Sequence, residues 1–305
     1  MRILLANDGA LDAGGVATYL QSVGTGLKAR EHDVGYLFCN TAQSGGAVAD
    51  FATVQFNADV AGRDGVMQPI ADWRPDVVYS HNMRPLDLER RLLDRFPVVK
   101  FMHGYFGTCI SGLKMHAFPN AQPCERRFGA ACVALYFPRR CGQWNLATMT
   151  KQYRWAAEQN GLFSRYRAVV VASRHMGDEY IRNGVPRDRV HVNPLFAPAA
   201  SSEDGSRRYG EPRDQYRLLF LGRMTKLKGG DALIRAVAEV SRSVSKPMHI
   251  VLGGEGPQRA GWEQLAKRLG VTAEFPGWLD EPSRTEALQQ ADLLVMPSVW
   301  PEPFG

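Results

Sequence analysis

No apolar run in this 305-residue chain approaches the roughly 20 residues that cross a bilayer as a helix, which excludes a transmembrane helix. The chain opens directly on a strand-like run, Arg2 to Ala6, which leaves no room for a secretory leader. A cytoplasmic location, with access to the inner face of the membrane, is the expectation. Cysteine is scarce, with five residues and no C-x-x-C pair, and this weakens a zinc reading. A dinucleotide fingerprint is also missing. Gly9, Gly14 and Gly15 do not make G-x-G-x-x-G behind the first strand, and the run from Gly254 and Gly256 has Arg259 at the third glycine position. No helix or strand shows a continuous basic stripe interleaved with aromatics, so no nucleic-acid partner is expected. The net charge of +6 and pI near 9.1 still favour an anionic ligand or an anionic surface.

What is present reads as an ordinary globular protein, 45% apolar and 22% charged, long enough for about two domains. The organising stretch is Tyr216 to Val244. Leu218 to Gly222 is an apolar run of strand length, and Asp231 to Val240 has the spacing of an amphipathic helix. Between them stand Arg223, Lys226, Lys228, Gly229 and Gly230. A strand turning through cations and glycines into a helix makes an anion site, because the helix N-terminus offers unpaired N–H groups and a positive partial charge. An ordinary βα turn with solvated cations is the alternative. Further along, Gly253, Gly254 and Gly256 make a second strand-to-helix turn, with Pro257 just inside the helix start. The chain closes on an apolar strand, Leu293 to Met296, then Pro297-Ser298 and Glu302-Pro303-Phe304-Gly305.

In the first half, strands are expected at Arg2 to Ala6, Asp33 to Cys39, Val77 to Ser80, Val98 to Met102 and Ala168 to Ala172, and Val190 to Pro194 leads to the domain exit. Helices are expected at Gly15 to Arg30, Lys151 to Ser164 and His175 to Asn183. In the second half, strands at Arg217 to Leu221, His249 to Leu252, Ala273 to Phe275 and Leu293 to Met296 alternate with helices at Asp231 to Val244, Gln258 to Leu269 and Arg284 to Gln290. Such alternation predicts doubly wound parallel sheets, in which ligands bind beyond the carboxyl ends of the strands. His103 sits at such an end, and alone it is as compatible with a structural role as with a functional one. Ser201 to Gln215 is polar, Gly- and Pro-containing and aperiodic, and reads as a linker.

Tyr105 to Thr150 is unlike the rest. It holds Cys109, Cys124, Cys132 and Cys141, and Pro119, Pro123 and Pro138 break any long helix. Unconnected thiols, a structural metal site and disulfides all remain open for these four. Tyr136, Phe137, Pro138, Arg139 and Arg140 mix aromatic and basic groups that suit an anionic acceptor or membrane lipid, with a solvated loop edge as the alternative.

The G-R-x(4)-K-G turn from Gly222, the G-G-E-G-P turn from Gly253 and E-P-F-G after a strand ending in P-S resemble the donor-binding half of retaining GT-B glycosyltransferases. The chain most nearly resembles glycosyltransferase family 4, strongly over the C-terminal third, more loosely over the N-terminal half, and poorly between Tyr105 and Thr150. The resemblance implies an α/β protein of GT-B architecture, two Rossmann-like domains facing across a cleft. These would be an acceptor-side domain over 1–200 with a cysteine-containing insert at 105–150, a linker at 201–215, and a donor-binding domain at 216–305. Since E-x(7)-E would run past Gly305, the chain is read as truncated, poorly active and marginally stable, with an exposed apolar sheet face.

The activity so implied is transfer of a sugar from a nucleotide-diphosphate sugar to an acceptor hydroxyl with retention, in polysaccharide, glycolipid or other glycoconjugate synthesis. Arg223 and Lys228 would stabilise the departing diphosphate, with the Gly229 amide beside them. Glu302 would take hydrogen bonds from sugar hydroxyls and stabilise positive character at the ring. His103 would contact the donor sugar. Gly14 and Gly15 would form the glycine-rich loop near donor phosphate and acceptor, and Gly254, Gly256, Pro303, Phe304 and Gly305 would line the donor site. Trp278 would reach the nucleotide base or pack at the rim. No D-x-D pair stands at a strand end, so no metal or other cofactor is expected beyond the nucleotide sugar itself. The rival readings are a phosphorylase- or epimerase-like enzyme with the same anion site, and a non-catalytic module binding an anionic ligand.

Overall fold

The structure, a computed structural model, describes residues 1–9, 15–39, 49–195 and 214–303. The chain divides into two compact units, Met1–Pro198 and Ala199–Pro303. Gly14, Phe304, Gly305 and all but the last two positions of the expected linker lie outside the described residues.

The first unit runs β1 (Arg2–Ala6), α1 (Gly15–Lys28), β2 (Asp33–Phe38), β3 (Val54–Asn57), α2 (Ala58–Ala61), α3 (Met67–Trp73), β4 (Val77–Ser80), α4 (Leu86–Arg95) and β5 (Val98–Met102). A short antiparallel pair follows, β6 (Met115–His116) with β7 (Gln122–Pro123), then α5 (Ala130–Tyr136), α6 (Leu146–Gly161), β8 (Ala168–Val171), α7 (Arg174–Arg182) and β9 (Val190–Val192). Seven strands form one parallel sheet in the order β3-β2-β1-β4-β5-β8-β9. Strands covered by helices on both faces read as nearly continuous apolar runs, and β1, whose Leu4, Leu5 and Ala6 have no exposure, is of that kind. The order reverses between β1 and β4, which opens a crevice at their carboxyl ends.

The second unit runs β10 (Tyr216–Leu221), α8 (Gly230–Val240), β11 (Met248–Gly253), α9 (Arg259–Leu269), β12 (Thr272–Gly277), α10 (Glu281–Gln290) and β13 (Leu293–Leu294). Its parallel sheet has the order β12-β11-β10-β13, so the reversal falls between β10 and β13. The core packs Phe220, Ile234, Ile250, Leu252 and Trp262, with the Phe220 and Trp262 rings edge-on at 5.6 Å.

Several boundaries differ from the sequence reading. α6 begins at Leu146, ahead of the expected Lys151, because the Asn145 side chain accepts the Thr148 N–H and caps the helix earlier. Within the insert, where the sequence excludes only a long helix, the chain forms β6, β7 and α5. Tyr136 does not join Arg139 and Arg140 on an aromatic-basic surface. It is buried with Ile110 and Met149 in a small core of the insert. The last expected strand keeps only Leu293–Leu294, and both side chains are exposed there (57% and 44%), along with Met296. β3, with polar Gln55 and Asn57 in a four-residue edge strand, and α3 were not expected.

Candidate active site

In the second unit the loops after the strands are stitched backbone to backbone. Gly222 N–H donates to Gly253 O (3.0 Å), Met224 N–H to Glu255 O (2.8 Å) and Gly254 N–H to Gly277 O (2.7 Å). A Cβ at Gly254 would overlap the Gly222 carbonyl, and one at Gly256 would overlap that of Met224. Both glycines are required by this close approach.

From Gly222 the chain passes Arg223 and a single 3-10 turn, Lys226–Lys228, to Gly229. Gly229 is in the left-handed region (φ 67°), and a Cβ there would overlap the Pro297 carbonyl in the turn after β13. The same two segments meet again where Val299 N–H donates to Leu227 O at 2.9 Å. The loop at the head of the 11-residue helix α8 is thus pressed against the segment that carries Glu302.

Lys228 Nζ donates to Glu302 Oε1, and the same oxygen accepts from Ser298 Oγ (2.6 Å) and Trp300 Nε1 (3.1 Å). Desolvation alone would raise the Glu302 pKa. The hydrogen bonds from Lys228, Ser298 and Trp300, with the Lys228 charge, outweigh it and hold the carboxyl below its ordinary value, so it is ionised at neutral pH. Arg223 is exposed, and its guanidinium has no ion-pair or hydrogen-bond partner among the described residues. An ionised carboxylate, a lysine bound to it, a free guanidinium and a helix N-terminus therefore surround the β10/β13 reversal. Trp278 follows β12 and is 74% exposed, so it does not pack at a rim.

His103 and Gly15 belong to the first unit. Gly15 starts α1, and among the described residues nothing lies within 4 Å of where its Cβ would be. His103 follows β5, and its Nε2 is 3.0 Å from Nδ1 of His81, which follows β4. Desolvation and the Lys100 charge push His103 down to about 4, so it is neutral at pH 7. Behind the pair runs a buried network. Lys100 Nζ donates to Glu89 Oε1 and to Ser80 Oγ (both 3.0 Å), Tyr166 OH donates to Glu89 Oε1 (3.0 Å), and Gln159 Nε2 donates to Tyr166 OH (2.8 Å).

Sequence reasoning missed His81, Ser298 and Trp300. For His81 one signal was available, since it ends a strand as His103 does. Beside β1 and β4 the first unit also holds a cavity of about 1030 Å³, lined among others by Asp8, Asp59, Arg63, Arg84 and Trp155. The Arg84 guanidinium lies against the rings of both Phe106 (4.7 Å) and Trp155 (5.1 Å).

Cys109, Cys124, Cys132 and Cys141 are free thiols that line one small cavity of about 20 Å³ together with Lys114 and His116. Burial and the neighbouring thiols push Cys141 up to about 12. Among the described residues no three His, Cys, Asp or Glu side chains are grouped so as to hold a metal ion. No helix among them is long and apolar enough to cross a membrane.

Residues 13–197 match the model of Glycosyltransferase Family 4, and residues 201–305 match that of Glycosyl transferases group 1. A D-inositol 3-phosphate glycosyltransferase of Thermomonospora curvata is 36% identical over 132 residues, 38% of this chain and 30% of that protein. The first matching curated relatives are covered over 25% to 42% of their length, less than half in each case. Among solved structures, sucrose-phosphate synthase from Thermosynechococcus elongatus has a TM-score of 0.65 at 17% identity, covering 100% of this chain and 77% of that one. The HepE protein of Anabaena in complex with UDP-glucose has a TM-score of 0.57 at 18% identity, with 100% and 76% covered. At such identities the structures show a shared fold, the two-unit GT-B architecture.

Proposed function

The chain belongs to glycosyltransferase family 4, and on that premise we propose that it transfers a hexosyl group from a nucleotide-diphosphate sugar to an acceptor hydroxyl with retention. The observation that carries this reading is the Lys228–Glu302 pair set against the head of α8.

Breaking the anomeric C–O bond leaves negative charge on the departing diphosphate. Arg223 offers a planar fork of donors, Lys228 a point charge, and the amides at the start of α8 unpaired N–H groups. Such preorganised donors stabilise developing charge without reorganising at the moment of reaction. They do so here with no metal in the scheme. Glu302 is ionised and already accepts three hydrogen bonds on one oxygen, Oε1, which leaves Oε2 to accept from a sugar hydroxyl. Its charge opposes the positive character that grows at the ring. His103 is assigned to the donor sugar and the cavity beside β1 and β4 to the acceptor, a glycan, a lipid or a small molecule. The exposed Arg140 of the insert suits an anionic acceptor or the inner face of a membrane.

Because HepE is solved with UDP-glucose, uridine is the first base to test. Calorimetric titration of UDP, GDP and ADP without added metal should show binding of one of them to the intact chain. The Arg223→Ala/Lys228→Ala variant should lose that binding. Absence of binding by all three, with no sugar transfer from UDP-glucose or GDP-mannose, would sink the donor-site reading.

A further inference from the structure

We propose that His81 is a positioning residue that fixes His103 in its Nδ1–H tautomer, so that His103 meets its ligand as a hydrogen-bond donor and not as a base. The inference deepens the assignment of His103 to the donor sugar and rests on it for its functional meaning.

The two imidazoles share one hydrogen bond, between His81 Nδ1 and His103 Nε2 at 3.0 Å. His81 has no exposed surface, and its Nε2 has no partner among the described residues. Desolvation, the neighbouring imidazole and the Lys100 ammonium hold His81 well below the ordinary histidine value, and His103 is held down to about 4. Both rings are therefore neutral at pH 7, and each carries one N–H.

Two arrangements satisfy the shared bond. If His103 donates from Nε2, His81 must carry its own hydrogen on Nε2, a fully buried N–H with no acceptor. If His81 donates from Nδ1, the orphan at His81 Nε2 is a bare lone pair. Orphaned buried N–H groups are the rarer and costlier case, and under-satisfied acceptors are better tolerated. The surroundings agree with the second arrangement. Tyr19, Tyr79 and Phe101 present rings to His81, at centroid distances of 5.8, 4.5 and 5.9 Å, and the two tyrosine hydroxyls bond each other at 3.0 Å. Lys100 lines the same cavity of about 10 Å³ as His81, and a positive charge there favours a bare nitrogen over an N–H. With Nε2 occupied by the His81 bond, the one hydrogen of His103 sits on Nδ1, which has no partner among the described residues.

Long-range ¹H–¹⁵N correlation spectra of the histidine-labelled chain at pH 7 read tautomers directly. The expected spectrum shows hydrogen on Nδ1 and a bare Nε2 for both His81 and His103, assigned with His81→Asn and His103→Gln. The amide of His81→Asn can still donate, so His103 keeps its tautomer in that variant. In His81→Leu the bond is lost and His103 moves toward the Nε2–H form. An Nε2–H signal from His103 in the unmutated chain would overturn the proposal without any variant having to fold. Transfer from UDP-glucose or GDP-mannose is expected to fall about tenfold in His81→Leu and to recover in His81→Asn, the size of one hydrogen bond. The two readings fail separately. An Nδ1–H His103 in a chain that binds no nucleotide sugar removes the glycosyltransferase reading and leaves the pairing intact. An Nε2–H His103 in a chain that binds one does the reverse.

Discussion

Gly229 and Gly270 form a matched pair that isolates the contact between the head of α8 and the turn after β13. Both have φ of 67°, in the left-handed region. Among the described residues nothing lies within 4 Å of a Cβ at Gly270, while a Cβ at Gly229 would overlap the Pro297 carbonyl. Alanine in that backbone region costs about 1–2 kcal/mol, partly offset by about 0.4–1 kcal/mol of lost unfolded-chain entropy. Gly270→Ala should therefore destabilise the second unit by about 1 kcal/mol. Gly229→Ala carries the same strain and must also move a backbone segment, for which overpacking suggests a further ~1–3 kcal/mol. Its expected cost is about 3 kcal/mol. Hydrogen exchange of amides in β10 and β11 reports this unit's opening free energy independently of the other unit. Equal values for the two variants would refute the close approach, and with it the account of how the lysine and glutamate motifs are brought together.

Glu302→Gln should lower transfer about 10²-fold or more while nucleotide diphosphate still binds, since it removes a charge felt at the sugar and leaves the phosphate cations in place; steady-state kinetics beside calorimetry separates the two effects. Because the folded Glu302 carboxyl is depressed, its stabilisation is present above the unfolded value near 4.3 and is lost as pH falls through the lower folded value. Urea unfolding at pH 7 and pH 3 should accordingly show the gap between the unmutated chain and Glu302→Gln shrinking in acid. His103 behaves differently. Its folded value near 4 lies below the unfolded 6.5, so the unfolded chain takes up the proton first, and stability present above pH 6.5 is lost as pH falls toward 4. The separation corresponds to about 3 kcal/mol, with His81 adding to the same window, and exchange of β4 and β5 amides should flatten in His103→Phe. Lys100→Met leaves Glu89 charged and buried and should cost about 3–5 kcal/mol, while Lys100→Met/Glu89→Leu recovers most of it; a double variant as unstable as the single would refute the pairing.

The parallel sheets were legible because β1, β4, β8 and β10 stand out as short apolar runs, of which β1 is buried at every position after Arg2. β3 was not, since an edge strand of four residues with polar positions carries little pattern. The Arg223 to Gly229 turn and Glu302 could each be picked out, but not their union, because a Lys–Glu bond across 74 positions depends on which strands are neighbours. His81 was hidden for a related reason. Two strand-end histidines are visible in the sequence, yet only the register of β4 with β5 makes one the partner of the other. The insert was the least legible part, because its small core is built around Tyr136, a residue that looked like surface.

The loops after β10 and β11 continue the ladder of the sheet beyond the strand ends, the second of them onto the last residue of β12. The amides, glycines and cations that would receive a diphosphate are therefore placed when the strands pair, before any ligand arrives. A nucleotide binding there has little loop entropy to overcome. Its affinity would then track the stability of the sheet itself, so that a substitution deep in the β10–β11 core would be felt as weaker binding without touching a single phosphate contact.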